Sequence, residues 1–161
     1  MIASRFSRFG RDTRGVAAIE AGLAFPFLVL FGAGLFEYGG LFYNYQLVQT
    51  GLRDGARYLA RVADPKAAEP AARNLALRGT VDTTGNPRIR WWQPADIQIT
   101  YRTIPNPVDA ETGRRLYRGD DPLTVIRVST SVNYEGLGLL NAVGLGPIAV
   151  KAAHEERYVG L

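Results

Sequence analysis

Between Val16 and Phe36 the chain holds twenty-one residues with a single ionisable side chain, Glu20; the rest are apolar, glycine or Pro26. At 1.5 Å per residue a helix over this run is about 30 Å long, the thickness of a bilayer's hydrocarbon core. A helix is also the form in which one segment bonds its own backbone groups in lipid. The run is therefore read as one transmembrane helix, and everything else in the chain is placed relative to it. Pro26 has no amide hydrogen to donate, so a kink or local loosening is expected about midway. Gly22, Gly32, Gly34, Gly39 and Gly40 would let another helix approach closely.

Charge is distributed unevenly about this run. Arg5, Arg8, Arg11 and Arg14 against Asp12 give residues 1–15 a net charge of +3, and subtracting that from the whole-chain +4 leaves +1 for everything after Gly15. The pI near 9.6 thus belongs to a short basic head, and no basic groove remains for nucleic acid. Positive residues stay on the cytoplasmic side. The expected arrangement is an inner-membrane, single-pass protein with residues 1–15 in the cytoplasm and the chain beyond Phe36 exported. The chain contains no cysteine, which excludes disulfides, thiolate metal sites and cysteine nucleophiles. The apolar run is too long for an ordinary secretory signal, and no Ala-x-Ala pattern follows it. A cut before the run, at the Gly15/Val16 bond, is the alternative, since glycine fits a narrow protease subsite.

From Tyr38 the pattern becomes striped, with Leu41, Tyr45, Val48, Leu52, Ala56, Leu59 and Val62 recurring at steps of three and four. That is an amphipathic helix over residues 37–63, continuous with the span and buried on one face. Tyr38, Phe42, Tyr43 and Tyr45 sit where aromatic rings favour the membrane interface. Asp54 lies three residues before Arg57, a spacing suited to a local surface ion pair beside Arg53. Asp64 and Pro65 end the long helix and begin another, whose regular part starts near Glu69 because of Pro70 and stops at Gly79. Residues 64–161 form the head. Of Trp91 and Trp92, one is expected to pack on the head and the other to face solvent.

Three period-two runs follow: Ile97 to Thr103, Thr124 to Tyr134, and Ile148 to about Tyr158. They predict a small antiparallel sheet whose apolar face the long helix covers, with a short helical turn between Gly136 and Leu145. No catalytic constellation accompanies this plan. His154 is the lone histidine, on an expected edge strand beside Glu155 and Glu156. Asp109, Glu111, Asp120 and Asp121 match no calcium loop, and Gly136 to Gly138 lacks a phosphate-binding fingerprint. The reading is a non-enzyme with no cofactor and no metal.

Gly15-Val-Ala-Ala-Ile-Glu20, Pro26 in the apolar run, Phe36-Glu-Tyr-Gly39, and Gln49 through Arg53-Asp-Gly-Ala-Arg-Tyr58 together resemble the TadE-like pseudopilins of tight-adherence (Tad, or Flp) type IV pilus systems. The resemblance covers roughly the first 60 residues. It implies a pilin-like α+β fold and a precursor cut after Gly15 by a membrane prepilin peptidase. It also implies that Glu20, fifth in the mature chain, pairs with the freed amino group of Val16 on the same or a neighbouring subunit. The plainer alternative for Glu20 is that it reaches back to the headgroups and Arg14. Pro26, Arg53, Asp54, Gly55, Ala56 and Arg57 are implied in helix packing and subunit contact. The implied partners are membrane lipid, the peptidase, other pilin-like subunits and the Tad assembly machinery. The competing expectation is an uncleaved, membrane-anchored binding module whose head does the work.

Overall fold

The computed structural model describes residues 13–119, 121–142, 144 and 146–160. Residues 1–12 of the expected leader and Asp120 of the acidic loop lie outside these. One helix, α1 (Thr13–Leu59), carries both the apolar run and the striped half without interruption, passing through Pro26. Proline removes one rung of the helical ladder, the bond to the carbonyl of Gly22, and the rungs on either side hold the helix through it.

The stripe is the core. Val48, Leu52, Ala56 and Leu59 are fully buried at steps of four, four and three along α1. The helix ends at Leu59, four residues before the expected end at residue 63, and Val62 falls in the following turn. The C-terminal tail supplies the reason, because the amides of Val159 and Gly160 both donate to the Ala60 carbonyl (2.9 and 3.3 Å), which a continuing helix would need for itself. Asp64 then caps a short turn through the amides of Lys66 and Ala67. Helix α2 (Glu69–Arg78) follows, with Pro70 in its first turn and Gly79 closing it in the left-handed conformation (φ 81°).

Helix α2 lies on α1 through small residues. Gly51 and Gly55 of α1 meet Ala72 and Ala76 of α2, and a β-carbon at Gly51 would sit well inside contact distance of the Ala76 carbonyl and the Trp92 ring. The next segment folds back through the Arg88 amide on the Leu77 carbonyl (2.7 Å) and places both tryptophans against the head. Trp92 is buried, its indole N–H donating to Thr130 Oγ1 (3.1 Å) while that hydroxyl donates to the Asp96 carbonyl (2.9 Å). A buried hydroxyl is thereby satisfied on both sides. Trp91, expected to face solvent, instead sets its ring edge-on to Tyr134, with centroids 6.1 Å apart, and is only half-exposed.

A 3₁₀ turn (Pro94–Asp96) leads into a three-stranded antiparallel sheet ordered β1 (Ile97–Ile104), β2 (Leu123–Asn133), β3 (Ala149–Arg157), with a short helix α3 (Leu139–Ala142) between β2 and β3. Register pairs Ile97 with Thr130 and Thr130 with Ala152, and Ile99 with Val128 and Val128 with His154. The apolar members of each alternation share one face, and α1 covers it, so the fold is α+β with the sheet packed on the second half of one long helix. The opposite face stays open and polar, with Glu155 bonded to Arg127 (2.8 Å) and Arg102 (3.4 Å). Their charges hold the Glu155 carboxyl below the ordinary carboxylate range, the Arg127 hydrogen bond first among the causes.

Gly51→Ala is expected to destabilise the head by about 1–3 kcal/mol through overpacking between α1 and α2. Gly22→Ala, with nothing near its added carbon, should leave the head unfolding midpoint unchanged. Denaturation of the full chain in detergent micelles measures both.

Candidate functional site

Two surfaces of α1 carry the chemistry that the rest of the chain positions. The first is the span itself. Its most apolar eighteen-residue window has a mean hydropathy of 2.0, and none of it is buried by the protein. Phe27, Phe31 and Phe36 are 72, 70 and 80 % exposed. Soluble monomers rarely leave contiguous apolar patches beyond roughly 300–600 Å² open to water, so this rod is built to be covered by lipid or by other helices. Gly22, Gly32, Gly34 and Gly39 touch nothing else in the chain and remain open on its surface. Gly15 and Val16 lie in the opening turns of α1, and Glu20 follows one turn later, exposed on the same rod.

The second surface is the junction where the rod meets the head. Glu37 is only 2 % exposed, although it stands one residue beyond the apolar run. Its Oε2 accepts the amide hydrogen of Leu137 at 3.0 Å, and its backbone carbonyl accepts the Tyr134 hydroxyl at 3.4 Å. The loop after β2 can come this close because residue 136 is glycine: a β-carbon there would overlap both the Glu37 carboxylate and the Tyr134 ring. The Tyr134 amide in turn donates to the Ile148 carbonyl (2.8 Å), so the latch is tied into the β2–β3 ladder. Burial pushes the Tyr134 phenol above its ordinary pKa, with the Glu37 charge adding to the rise and a hydrogen bond with Asn44 opposing it. A desolvated carboxylate is costly unless bonded, and the bond it makes here is charge-assisted. Span and head are therefore joined by a specific contact.

The residues singled out in the Arg53–Arg57 stretch divide. Gly55 and Ala56 are buried inside the chain against α2 and the core. Asp54 pairs with Arg88 at 2.6 Å, thirty-four residues away, where its sequence spacing had offered Arg57. Arg53 and Arg57 are exposed. Glu37 was part of the resembling Phe36-Glu-Tyr-Gly39 stretch but received no role from it. The available signal was a charge set directly against a membrane run, where an unpaired carboxylate is expensive.

The remaining candidates are occupied by local structure. Asp109 accepts the Thr112 amide and hydroxyl at 2.8 and 2.9 Å, bonds that hold its carboxyl below the usual range. Asp121 accepts the Asn106 amide and pairs with Arg115 (3.4 Å). His154 Nε2 lies 3.0 Å from Glu156 Oε1 on the helix-facing side of β3. Among the described residues no three acidic or histidine side chains gather as a metal site would require.

A small α+β head is thus fixed to the second half of a helix whose first half is bare, and long and apolar enough to cross a membrane. The model of the TadE-like protein family matches residues 15–57, the whole span and nearly all of the striped half. The match ends before α2 and the sheet. No curated protein and no solved structure matches the chain.

Removing the Glu37 acceptor with Glu37→Ala is expected to speed hydrogen exchange at the Leu137 amide by roughly tenfold or more, since bonds to charged groups contribute about 1.5–3 kcal/mol. Glu37→Gln, which keeps an acceptor oxygen, should retain most of the protection. Gly136→Ala should behave like the alanine variant. Alkaline pH supplies a separate check. Tyr134, and Tyr101 on the Glu69 carboxylate (3.0 Å), both have phenols raised by burial and by a neighbouring acid. Their folded values lie above the unfolded one, so the stability they contribute is complete below about pH 10 and declines as pH climbs beyond it. Tyr101→Phe and Tyr134→Phe should each flatten that decline in denaturation midpoints taken across the alkaline range.

Proposed function

We propose that the chain is a minor pseudopilin of a Tad/Flp-type pilus, made as a precursor, cut by a prepilin peptidase after Gly15, and acting in pilus assembly or adherence by helix packing. The observation that carries this reading is the bare apolar half of α1, which lies within the TadE-like match and is continuous with the helix that organises the head. The basic residues 1–15 remain in the cytoplasm, Val16 to Phe36 cross the inner membrane, and the head is exported.

Cleavage supplies what the span lacks, a complement for its acid. The freed amine of Val16 is a positive charge at the positive end of the helix dipole, an unfavourable placement unless a carboxylate neutralises it. Glu20 is four residues on, one turn along the same face, and two such charges attract far more strongly in an apolar setting than in water, with desolvation offsetting part of the gain. Pairing across subunits sets the axial register of an incoming helix. Arg53 and Arg57, exposed on the same rod above the membrane, are available to neighbouring subunits or to the assembly machinery. No catalytic role is required of any residue.

Intact mass of the protein taken from its native membrane is expected to correspond to a chain beginning at Val16. A mass retaining Met1 to Gly15 would make the protein a permanently tethered module instead. Glu20→Gln should spare cleavage and impair pilus formation, and normal piliation in that variant would remove the pairing from the mechanism.

A further inference from the structure

On the side of α1 opposite its buried stripe, Gly39, Tyr43, Gln46, Thr50, Arg53 and Arg57 are all exposed, at alternating steps of four and three. That alternation is the one with which a helix meets a second helix along a shared seam. The same steps continue down into the bare span through Phe36, Gly32 and Val29. The upper end of the seam is cationic, and Arg61, exposed in the turn just past the helix, adds a third guanidinium. The acid set among these arginines is withdrawn, because Asp54 gives its carboxylate to Arg88 at 2.6 Å. Among the described residues none of the three guanidiniums has a partner. Like charges four residues apart on a helix repel, so the row works against the stability of its own chain. A cation in the last turn complements the helix dipole, which accounts for Arg57; Arg53 lies a turn too early for that. Lipid is out of reach. Arg53 is seventeen residues beyond Phe36, about 26 Å along the axis, whereas headgroups extend roughly 5–8 Å past the hydrocarbon core.

We propose that this seam docks a parallel helix of a different membrane-anchored chain, whose carboxylates, three or four residues apart, face Arg53 and Arg57. The proposal rests on the membrane-anchored reading given above. Continuity with the span selects a helix, because a segment lying along the span in lipid must bond its own backbone groups. Charge selects an acidic one. A second copy, packed helix against helix, lacks the complement. Of the acids on α1, Glu37 is bonded to the Leu137 amide and Asp54 to Arg88, while Glu20 lies thirty-three residues, about 50 Å, below Arg53. Sliding one copy that far past another would carry its span out of the bilayer, and two copies level with each other would set arginine against arginine.

The test places a photoreactive benzophenone amino acid at Thr50, between Gln46 and Arg53 on the seam, in the full chain in its native membrane, with adducts mapped by mass spectrometry. The expected adduct joins Thr50 to a different chain, within a helix that carries carboxylates at steps of three or four. Arg53→Glu combined with Arg57→Glu should lower its yield by about tenfold or more, and lysines at the partner's facing acids should restore it. Both arginines are exposed, so the reversed chain is expected to keep the head's unfolding midpoint, which is measured alongside. An adduct between two copies of this chain, an adduct that survives the double reversal, or no adduct at all would overturn the docking. Recovery of the chain outside the membrane fraction would overturn the anchoring, and the docking with it.

Discussion

One helix has to satisfy two solvents, and the rest of the structure follows from how it does so. In its first half every side is apolar, because lipid or another helix surrounds it; in its second half only one stripe is, because a head must cover that stripe and water takes the remainder. The head is small, and it covers the stripe by two devices at once. Helix α2 comes in on the small-residue side, where Gly51 and Gly55 admit Ala72 and Ala76, and the sheet lays Ile126, Val128 and Val150 over the rest. Trp92 closes the space between the two, with its single polar atom given to Thr130.

Periodicity made much of this readable from the residues. The uncharged run, the three-and-four stripe of Val48 to Leu59 and the alternation in Thr124 to Val132 each repeat a local geometry, and the repeat is written in consecutive residues. What could not be read was decided by chain segments far apart. Ala60 stops the helix because Val159 and Gly160 take its carbonyl, a fact that no window around residue 60 contains. Asp54 has a plausible mate in Arg57 and a better one in Arg88, brought over by the fold of the loop behind α2. Trp91 and Trp92 looked like a pair with one member to spare, and Tyr134 supplies the second contact. The site was legible in the same uneven way: Glu20 stands out against an apolar background, whereas Glu37, at the edge of that background, passes for an ordinary boundary residue.

These two acids show how the same side chain serves different ends by position. Glu37 is enclosed by its own chain, where a glycine clears the space and a backbone amide supplies the proton donor. Glu20 is left bare on the rod. A carboxylate bonded within the chain consolidates one molecule; a carboxylate exposed on an apolar surface gains most from a charge brought by another.

The latch at Glu37 also determines how the subunit can move. Because α1 runs unbroken from span to head and the loop after β2 is fastened to it at the membrane boundary, no swivel separates the two halves. Turning the span about its long axis must sweep the sheet through the same arc, and successive residues along such a rod differ by about 100° of azimuth. Displacing the contact line on the bare half of the rod by a single residue would therefore aim the open, arginine-bearing side of the sheet in a wholly different compass direction, so whatever packs against that half sets the heading of the head.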